Sequence, residues 1–451
     1  MFRAGSPVTA AAFLDRRREL TRLGRVFDDL LAGAPRWLAV LGPRKIGKTS
    51  LILEASRRAP STVPVALLDV MAHAPLSTEL FRTLTLRALD ALVGAALGGS
   101  LERRAGDPPA FGELLRGSDL YPTLPKDLRT ELDRLVDGAP TPEHVGRWLA
   151  LPERVAQHTG ARLVVAIDEV QELAALSTRS FEPFPVMRAA WQTHERVAYV
   201  ISGSAPTALR ELVTSRHSPF FQHFDLLDLG PFEQSDAIAL LRDQAPADRP
   251  IAADVAEKVV EIVGRHPFYL QVVGDALTHE PPPYDIGSLK PVLQSLLFSR
   301  SGRLSLYFEN EYQRLVGRAT TLAATLEALA TSAPLRLTDL ARAIGASTAS
   351  TARYVDRVGD AVVREGDLYA LADPLFATWL RWRAPGGTVV PMTIIGDEAE
   401  IAVAAQLAGL GFDLVYQSRG SRGAFDLLAI RGSQQLGVQV KRERLPLRFS
   451  K

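Results

Sequence analysis

The chain has 451 residues, 52 lysines and arginines against 51 aspartates and glutamates, and a net charge of +1. That length suits about three domains, and the balanced charge gives no global basic field, so any nucleic-acid contact must come from a local patch. The absence of cysteine excludes disulfides, thiol catalysis and cysteine-ligated zinc, and suits a cytoplasmic location. Residues 1–13 are weakly apolar and run into Asp15-Arg16-Arg17-Arg18, unlike a secretory signal. No apolar stretch reaches the roughly 20 residues that a membrane helix needs, so no membrane partner is expected.

In chain order, the apolar run Trp37 to Leu41 reads as a strand and leads into Gly42-Pro43-Arg44-Lys45-Ile46-Gly47-Lys48-Thr49, which fits G-x-x-x-x-G-K-(S/T). Glycines allow successive backbone N–H groups to turn inward around phosphates, Lys48 reaches the β and γ phosphates, and Thr49 offers a hydroxyl to Mg2+. A helix starting at Lys48 and running through Ser50 to Ala59 adds its positive dipole end. Residues Gly42 through Ser50 are therefore expected to hold ATP or GTP with Mg2+.

Val63 to Val70 reads as a second buried strand, and residues 98–142 as a Gly/Pro-rich helical insertion. A third strand, Arg162 to Ile167, closes on Asp168-Glu169, and a fourth runs from Val197 to Ser204. Alternating strands and helices predict a doubly wound parallel sheet. Two acids at its carboxyl edge supply the second half of an ATPase site: Asp168 to hold Mg2+ through water, and Glu169 to orient the attacking water. Ser204 either touches the γ-phosphate or its water, or is a turn residue.

Phe13-Leu14-Asp15-Arg16 with Glu19-Leu20, the loop at Gly42, Ile167 to Leu173, Ser202-Gly203-Ser204 and Gly264-Arg265-His266-Pro267 together resemble the archaeal-type ATPase family of the STAND branch, near the AAA+ ATPases. The resemblance covers about residues 10–385. It implies an ATPase core over residues 1–231, a helical lid over 232–315, a place for Arg16 near the base, and Pro267 in a turn lining the adenine pocket. The family's Gly-Arg pair after Ser218-Pro219-Phe220-Phe221 is here Gln222-His223, which leaves Arg210 or Arg216 as substitutes for an arginine finger, or as surface charges.

Leu337 to Ile344, Gly345, and Ser347 to Val358 read as helix, turn, helix, and Val362 to Leu371 as a hairpin turning at Gly366-Asp367. The pattern is a winged helix-turn-helix, placed at 316–383. Ser347, Thr348, Ser350 and Thr351 would lead a helix into a major groove, with Arg353, Arg357 and Arg364 on phosphates; otherwise the module packs on the ATPase and transmits its nucleotide state.

After a linker at 384–395, residues 396–451 begin with a helix carrying Glu400, followed by strands at Phe412 to Gln417, Phe425 to Arg431 and Leu436 to Lys441. This order resembles the PD-(D/E)xK nucleases, most of all the Holliday-junction resolvase and Mrr-type branches. Asp426 would bind Mg2+, Gln439 would be a weaker ligand on the same strand face as Lys441, Lys441 would position or deprotonate water, and Glu400 would complete the site. Glutamine in place of an acid, and only ten residues after Lys441, leave an inactive docking relic as the alternative.

The expected whole is an α/β chain: a P-loop doubly wound parallel sheet with a helical lid, a winged helix-turn-helix and a small α/β nuclease-like domain. It reads as an ATP- and Mg2+-dependent ATPase that binds and cleaves DNA through the winged helix and C-terminal domain, with homo-oligomerisation on ATP binding. The alternative is a STAND-type signalling or assembly switch with a non-catalytic tail.

Overall fold

The structure is a computed structural model that describes residues 2–14, 16–97, 108–299, 301–382, 403, 406–407, 410, 414–417, 427–431 and 434–440. The chain divides into a sheet unit, Pro7–Gly230, and a helical unit, Met1–Ser6 with Pro231–Lys451. Among the described residues no helix is long and apolar enough to cross a membrane.

The sheet unit is built on β1 (Trp37–Leu41), β2 (Val65–Asp69), β3 (Leu163–Asp168), β4 (Val197–Gly203) and β5 (Phe224–Asp228). All pairings are parallel, in the order β2-β3-β4-β1-β5. Every residue of β1, β3 and β4 is buried, as expected when helices cover both faces of a parallel sheet. Period-two alternation sends Trp37, Ala39, Leu41, Val165, Ile167, Tyr199 and Ile201 to one face and Leu38, Val40, Val164, Ala166, Ala198 and Val200 to the other. The second face is covered by α1 (Arg17–Leu31) and α2 (Lys48–Arg58), through residues such as Leu23, Phe27, Leu51 and Ile52.

The first face carries α3 (Glu79–Leu97), α4 (Pro108–Arg116), α5 (Lys126–Asp137), α6 (Pro142–Thr159), α7 (Pro183–Trp191) and α8 (Pro206–Thr214). Over its described part the expected insertion at 98–142 is helical and packs into the core of the sheet unit. Phe111, Leu115, Leu128, Leu132 and Leu135 belong to the same core as Trp148 and the sheet residues. The apolar spacing of α5, with Leu128, Leu132, Leu135 and Val136 buried, gives it one face that has to be covered.

In the helical unit, α9 (Gln234–Gln244), α10 (Ala253–Val263), α11 (Pro267–Thr278), α12 (Ile286–Phe298) and α13 (Arg303–Val316) precede α14 (Thr320–Ser332), α15 (Leu337–Ala343) and α16 (Thr348–Val358). The short strands β6 (Leu335–Arg336), β7 (Val362–Glu365) and β8 (Leu368–Leu371) form an antiparallel sheet in the order β6-β8-β7, and α17 (Pro374–Trp382) follows. The Tyr269 hydroxyl on α11 donates to Asp373, whose other carboxylate oxygen caps α17 by accepting from the Leu375 and Phe376 amides at 2.9 and 3.2 Å. Burial raises the Asp373 carboxyl above its usual range despite these three donors. Rings of Tyr269, Phe308, Phe376 and Trp379 pack around the pair with centroids 5.5–5.9 Å apart.

The C-terminal strands β9 (Leu414–Gln417), β10 (Leu427–Arg431) and β11 (Gln434–Val438) are antiparallel, in the order β11-β10-β9. The third strand is shifted from its expected span, so that Gln439 stands exposed beyond its end. Glu400, Asp426 and Lys441 lie outside the described residues.

If α5 is part of the core, Leu132→Ala should destabilise the sheet unit by about 2–5 kcal/mol. Denaturant unfolding followed by circular dichroism checks this, and a surface appendage would show almost no change.

Candidate active site

β1 ends where the chain must curl back on itself, and Gly47 takes a left-handed φ of 102° just before α2 begins at Lys48. Lys45 also has a left-handed backbone, with φ 59°. Gly42 answers a different demand: a Cβ there would lie 2.6 Å from the Leu229 carbonyl oxygen. Pro43 and Lys45 are exposed, Arg44 is half-buried and Ile46 is buried in the α1/α2 core.

Lys48 is 5% exposed, and its ammonium donates to the Gly42 and Pro43 carbonyls, each at 2.9 Å. Burial pulls its pKa below the ordinary lysine value; nearby Glu169 and Asp168 oppose this, and Arg44 adds to it. The Thr49 hydroxyl donates to Asp168 Oδ2 at 2.5 Å, and Ser202 on β4 donates to Asp168 Oδ1 at 2.6 Å. Because β4 lies between β1 and β3, a serine near its carboxyl end faces the acid that ends β3.

Glu169 follows Asp168 with a left-handed φ of 56°, an uncommon conformation for a side-chain-bearing residue. One carboxylate oxygen, Oε2, accepts from the Ser204 amide at 2.9 Å, the Ser204 hydroxyl at 2.7 Å and the Gln171 amide group at 2.7 Å. Burial would raise this carboxyl, but the Gln171 and Ser204 hydrogen bonds and the Lys48 charge outweigh it and hold the pKa below the ordinary glutamate value. Gly203 leaves room for Gln171, whose Oε1 would be 2.1 Å from a Cβ at that position.

Lys48, Thr49, Asp168 and Glu169 therefore converge at the carboxyl edge of the sheet. Hydroxyl and carboxylate oxygens from Thr49 and Asp168 suit a hard cation. With one hydroxyl and one carboxyl group, these protein donors fit an Mg2+ that takes most of its ligands from phosphate and water.

Other sequence candidates stand elsewhere or in different roles. Ser50 accepts the Val8 amide at 3.0 Å. Arg16, left-handed at φ 57° and 8% exposed, spends its guanidinium on Glu19 (3.2 Å), the Gly230 carbonyl (2.7 Å) and the Ile46 carbonyl (3.5 Å). Pro267 opens α11 in the helical unit. Arg210 pairs with Asp228, and Arg216 is exposed just after α8. Sequence reasoning missed Gln171, although it lies within the quoted Ile167–Leu173 segment, and missed Ser202 as the partner of Asp168. The sequence signal for both was their place in segments that carry the family resemblance, Ile167 to Leu173 and Ser202-Gly203-Ser204.

Residues 12–185 match the family model of the AAA ATPase domain. Among solved structures, the chain is similar to the Walker-type ATPase of Pyrococcus abyssi, with 18% identity and a TM-score of 0.59, covering 84% of this chain and 98% of that one. It is also similar to the ORC2 protein of Aeropyrum pernix in its ADPNP-ADP complexes, with 14% identity and a TM-score of 0.53, covering 84% and 95%. At these identities the likeness is one of fold. No curated protein matches the chain.

Ser202→Ala should leave the buried Asp168 carboxylate short of one donor and destabilise the sheet unit by about 1–3 kcal/mol. Chemical denaturation of the variant against the parent chain measures it, and equal stability would contradict the bond.

Proposed function

From an AAA ATPase domain over residues 12–185, we propose that the protein is an ATP-binding, Mg2+-dependent ATPase whose nucleotide state drives a DNA-contacting module. The observation that carries this reading is the convergence of Lys48 and Thr49 on the phosphate-loop helix with Asp168 and Glu169 at the end of β3. Backbone N–H groups from Gly42 to Ser50, with the Lys48 ammonium, bind the phosphates. Thr49 and Asp168 would hold Mg2+, which would supply charge neutralisation on the phosphate oxygens. Glu169, kept ionised by its surroundings, accepts a hydrogen bond from the attacking water and aligns it. Ser204 acts on this glutamate, fixing its carboxylate, rather than on the γ-phosphate. Arg216, exposed after α8, serves an adjoining subunit's nucleotide in an ATP-dependent oligomer better than Arg210, which is tied to Asp228.

Glu169→Gln should retain ATP but lower turnover by about 100-fold or more, the range of a lost general base or water-aligning group. Phosphate release alongside fluorescent-nucleotide binding tests this; full turnover in the variant would remove Glu169 from the chemistry.

For residues 316–383 we read a winged helix whose α16 meets DNA. Ser347 caps the helix by accepting the Ser350 amide at 3.1 Å, and Ser347, Thr348, Arg353, Arg357 and Arg364 are exposed. Thr351 drops out of the base-reading set: it is fully buried, with its hydroxyl donating to the Ser347 carbonyl at 2.9 Å. DNA affinity should fall steeply between about 50 and 200 mM salt, and Arg353→Ala with Arg357→Ala should flatten the log–log slope by about 2. Fluorescence anisotropy across a salt series decides it, and salt-independent or absent binding would refute a DNA role.

Cleavage by residues 396–451 has as its support the order of Glu400, Asp426, Gln439 and Lys441. A second reading, a signalling or assembly switch with a non-catalytic tail, is favoured by one observation: Gln439 is exposed past the end of β11 rather than within the strand.

A further inference from the structure

At the amino edge of the sheet, the end of the strands opposite the phosphate loop, the sheet unit holds a cavity of about 430 Å³. Its floor is made by Trp37 and Phe224, which open β1 and β5, and by His194, just before β4. All three are buried. Between this cavity and Gly42 runs β1, five residues long, which at about 3.3 Å per residue keeps the two about 16 Å apart. The nucleotide chemistry proposed above makes no use of the cavity.

Each imidazole there has a defined donor pattern. The buried Tyr199 hydroxyl meets His194 Nδ1 at 2.7 Å and has no other hydrogen-bond partner among the described residues. Burial pushes the phenol pKa up and pulls the His194 pKa down to about 4, so the phenol keeps its proton and the imidazole is neutral. The phenol therefore donates to Nδ1, which puts the imidazole proton on Nε2. That nitrogen is not among the sealed, unpaired polar atoms of the protein, and it is the donor His194 has left for the cavity. His223 has the opposite pattern: its Nδ1–H donates to the Phe221 carbonyl at 2.9 Å, so the neutral ring keeps Nε2 as an acceptor. Its ring lies 5.5 Å from that of Trp37.

The rim adds two exposed carboxamides, Gln192 and Gln222, each with a donor beside an acceptor in one plane. Gln222 holds a left-handed φ of 61°, a conformation that glycine adopts without strain and that other residues keep chiefly where a site depends on them. Arg36 also stands at the rim, but it is paired with Asp29 at 3.2 Å and reaches Asp225 at 3.8 Å, so its charge is already answered and attracts no anion. Ring walls with in-plane donors and acceptors suit a neutral planar heterocycle. Bases are recognised in this way, through ring contacts and through amides bonded to a base edge.

We propose that this cavity is a nucleobase-binding site, separate from the ATP site. Trp37 and Phe224 contact the ring, His194 Nε2–H and His223 Nε2 meet an acceptor and a donor on it, and Gln192 and Gln222 bond its edge. The base belongs to a free nucleoside or to a single strand whose backbone follows the exposed rim, since both present the same edge. The site stands whether or not the phosphate loop hydrolyses ATP.

Calorimetry of the full chain decides it, with adenosine, guanosine, cytidine and uridine, which carry no phosphate for the loop, and with ribose as the sugar control. At least one nucleoside should bind with a Kd of about 1 mM or tighter, and ribose should not bind. His194→Phe keeps a ring but removes the N–H, and should weaken binding about tenfold, the worth of one good hydrogen bond. Because that change also strands the Tyr199 hydroxyl, a second variant is confined to the exposed rim: Gln192→Ala with Gln222→Gly, which suits the left-handed backbone. It should weaken binding by a similar factor without loss of thermal stability. A single-stranded oligonucleotide that binds more tightly than its nucleosides, and loses that advantage in both variants, assigns the site to a strand; one that binds no better assigns it to the free nucleoside. No heat with any nucleoside, or binding unchanged in either folded variant, overturns the proposal.

Discussion

Asp168 is an acid that the fold has buried to 4% exposure, and a polar group in such a place must be met by hydrogen-bond partners. It is met from both following strands of the sheet: Ser202, on the adjacent β4, donates to one oxygen and Thr49, beyond β1, to the other. Such a bridge exists only because β4 separates β1 from β3 in a parallel sheet whose carboxyl ends are level, with Leu41 beside Gly203 and Ile167 beside Ile201. The strand order that makes the crevice also closes the hydrogen-bond chain across it. Anything that slides one of these strands by a residue would turn a serine away from the acid and expose an apolar side chain in its stead.

The neighbouring glutamate is arranged on a different plan. Three donors converge on a single oxygen of Glu169, leaving the other for whatever enters the crevice. Hydrogen bonding to the charged form keeps the group ionised in spite of burial, while its left-handed backbone aims it from the end of a strand whose own residue, Asp168, must point at Thr49. Gly203 is part of this plan by having no side chain, since any Cβ would displace Gln171.

The elements legible in the sequence were those written in local pattern. Continuous apolar runs gave β1, β3 and β4 within a residue or two, and the Gly42–Thr49 spacing located the loop because backbone reversal and phosphate binding both demand small residues at fixed intervals. The helix, turn and hairpin at 337–371 were equally plain, since Gly345 and Gly366 sit where the apolar period breaks, and both have left-handed backbones. What stayed hidden depended on partners distant in sequence. Arg16 and Gly230, Ser204 and Glu169, and the docking of α5 on the sheet core are each set by strand order and packing, which a local pattern does not encode. Thr351 shows the same limit at short range: a polar residue one turn into an amphipathic helix reads as exposed, yet the backbone carbonyl of Ser347 satisfies its hydroxyl and lets it sit in the interior.

Tyr269 and Asp373 lie 104 residues apart, yet their bond joins α11 to the start of α17, and the Tyr269 ring packs on Phe308, which in turn meets Phe376 and Trp379 of α17. A buried acid that loses this phenol would be left with only backbone donors, so the two helices are held to each other more firmly than apolar contact alone would require. The bond works only while it is whole: removing the phenol or the carboxyl strips the other of its side-chain partner inside an apolar surround, so the two residues tolerate change only together.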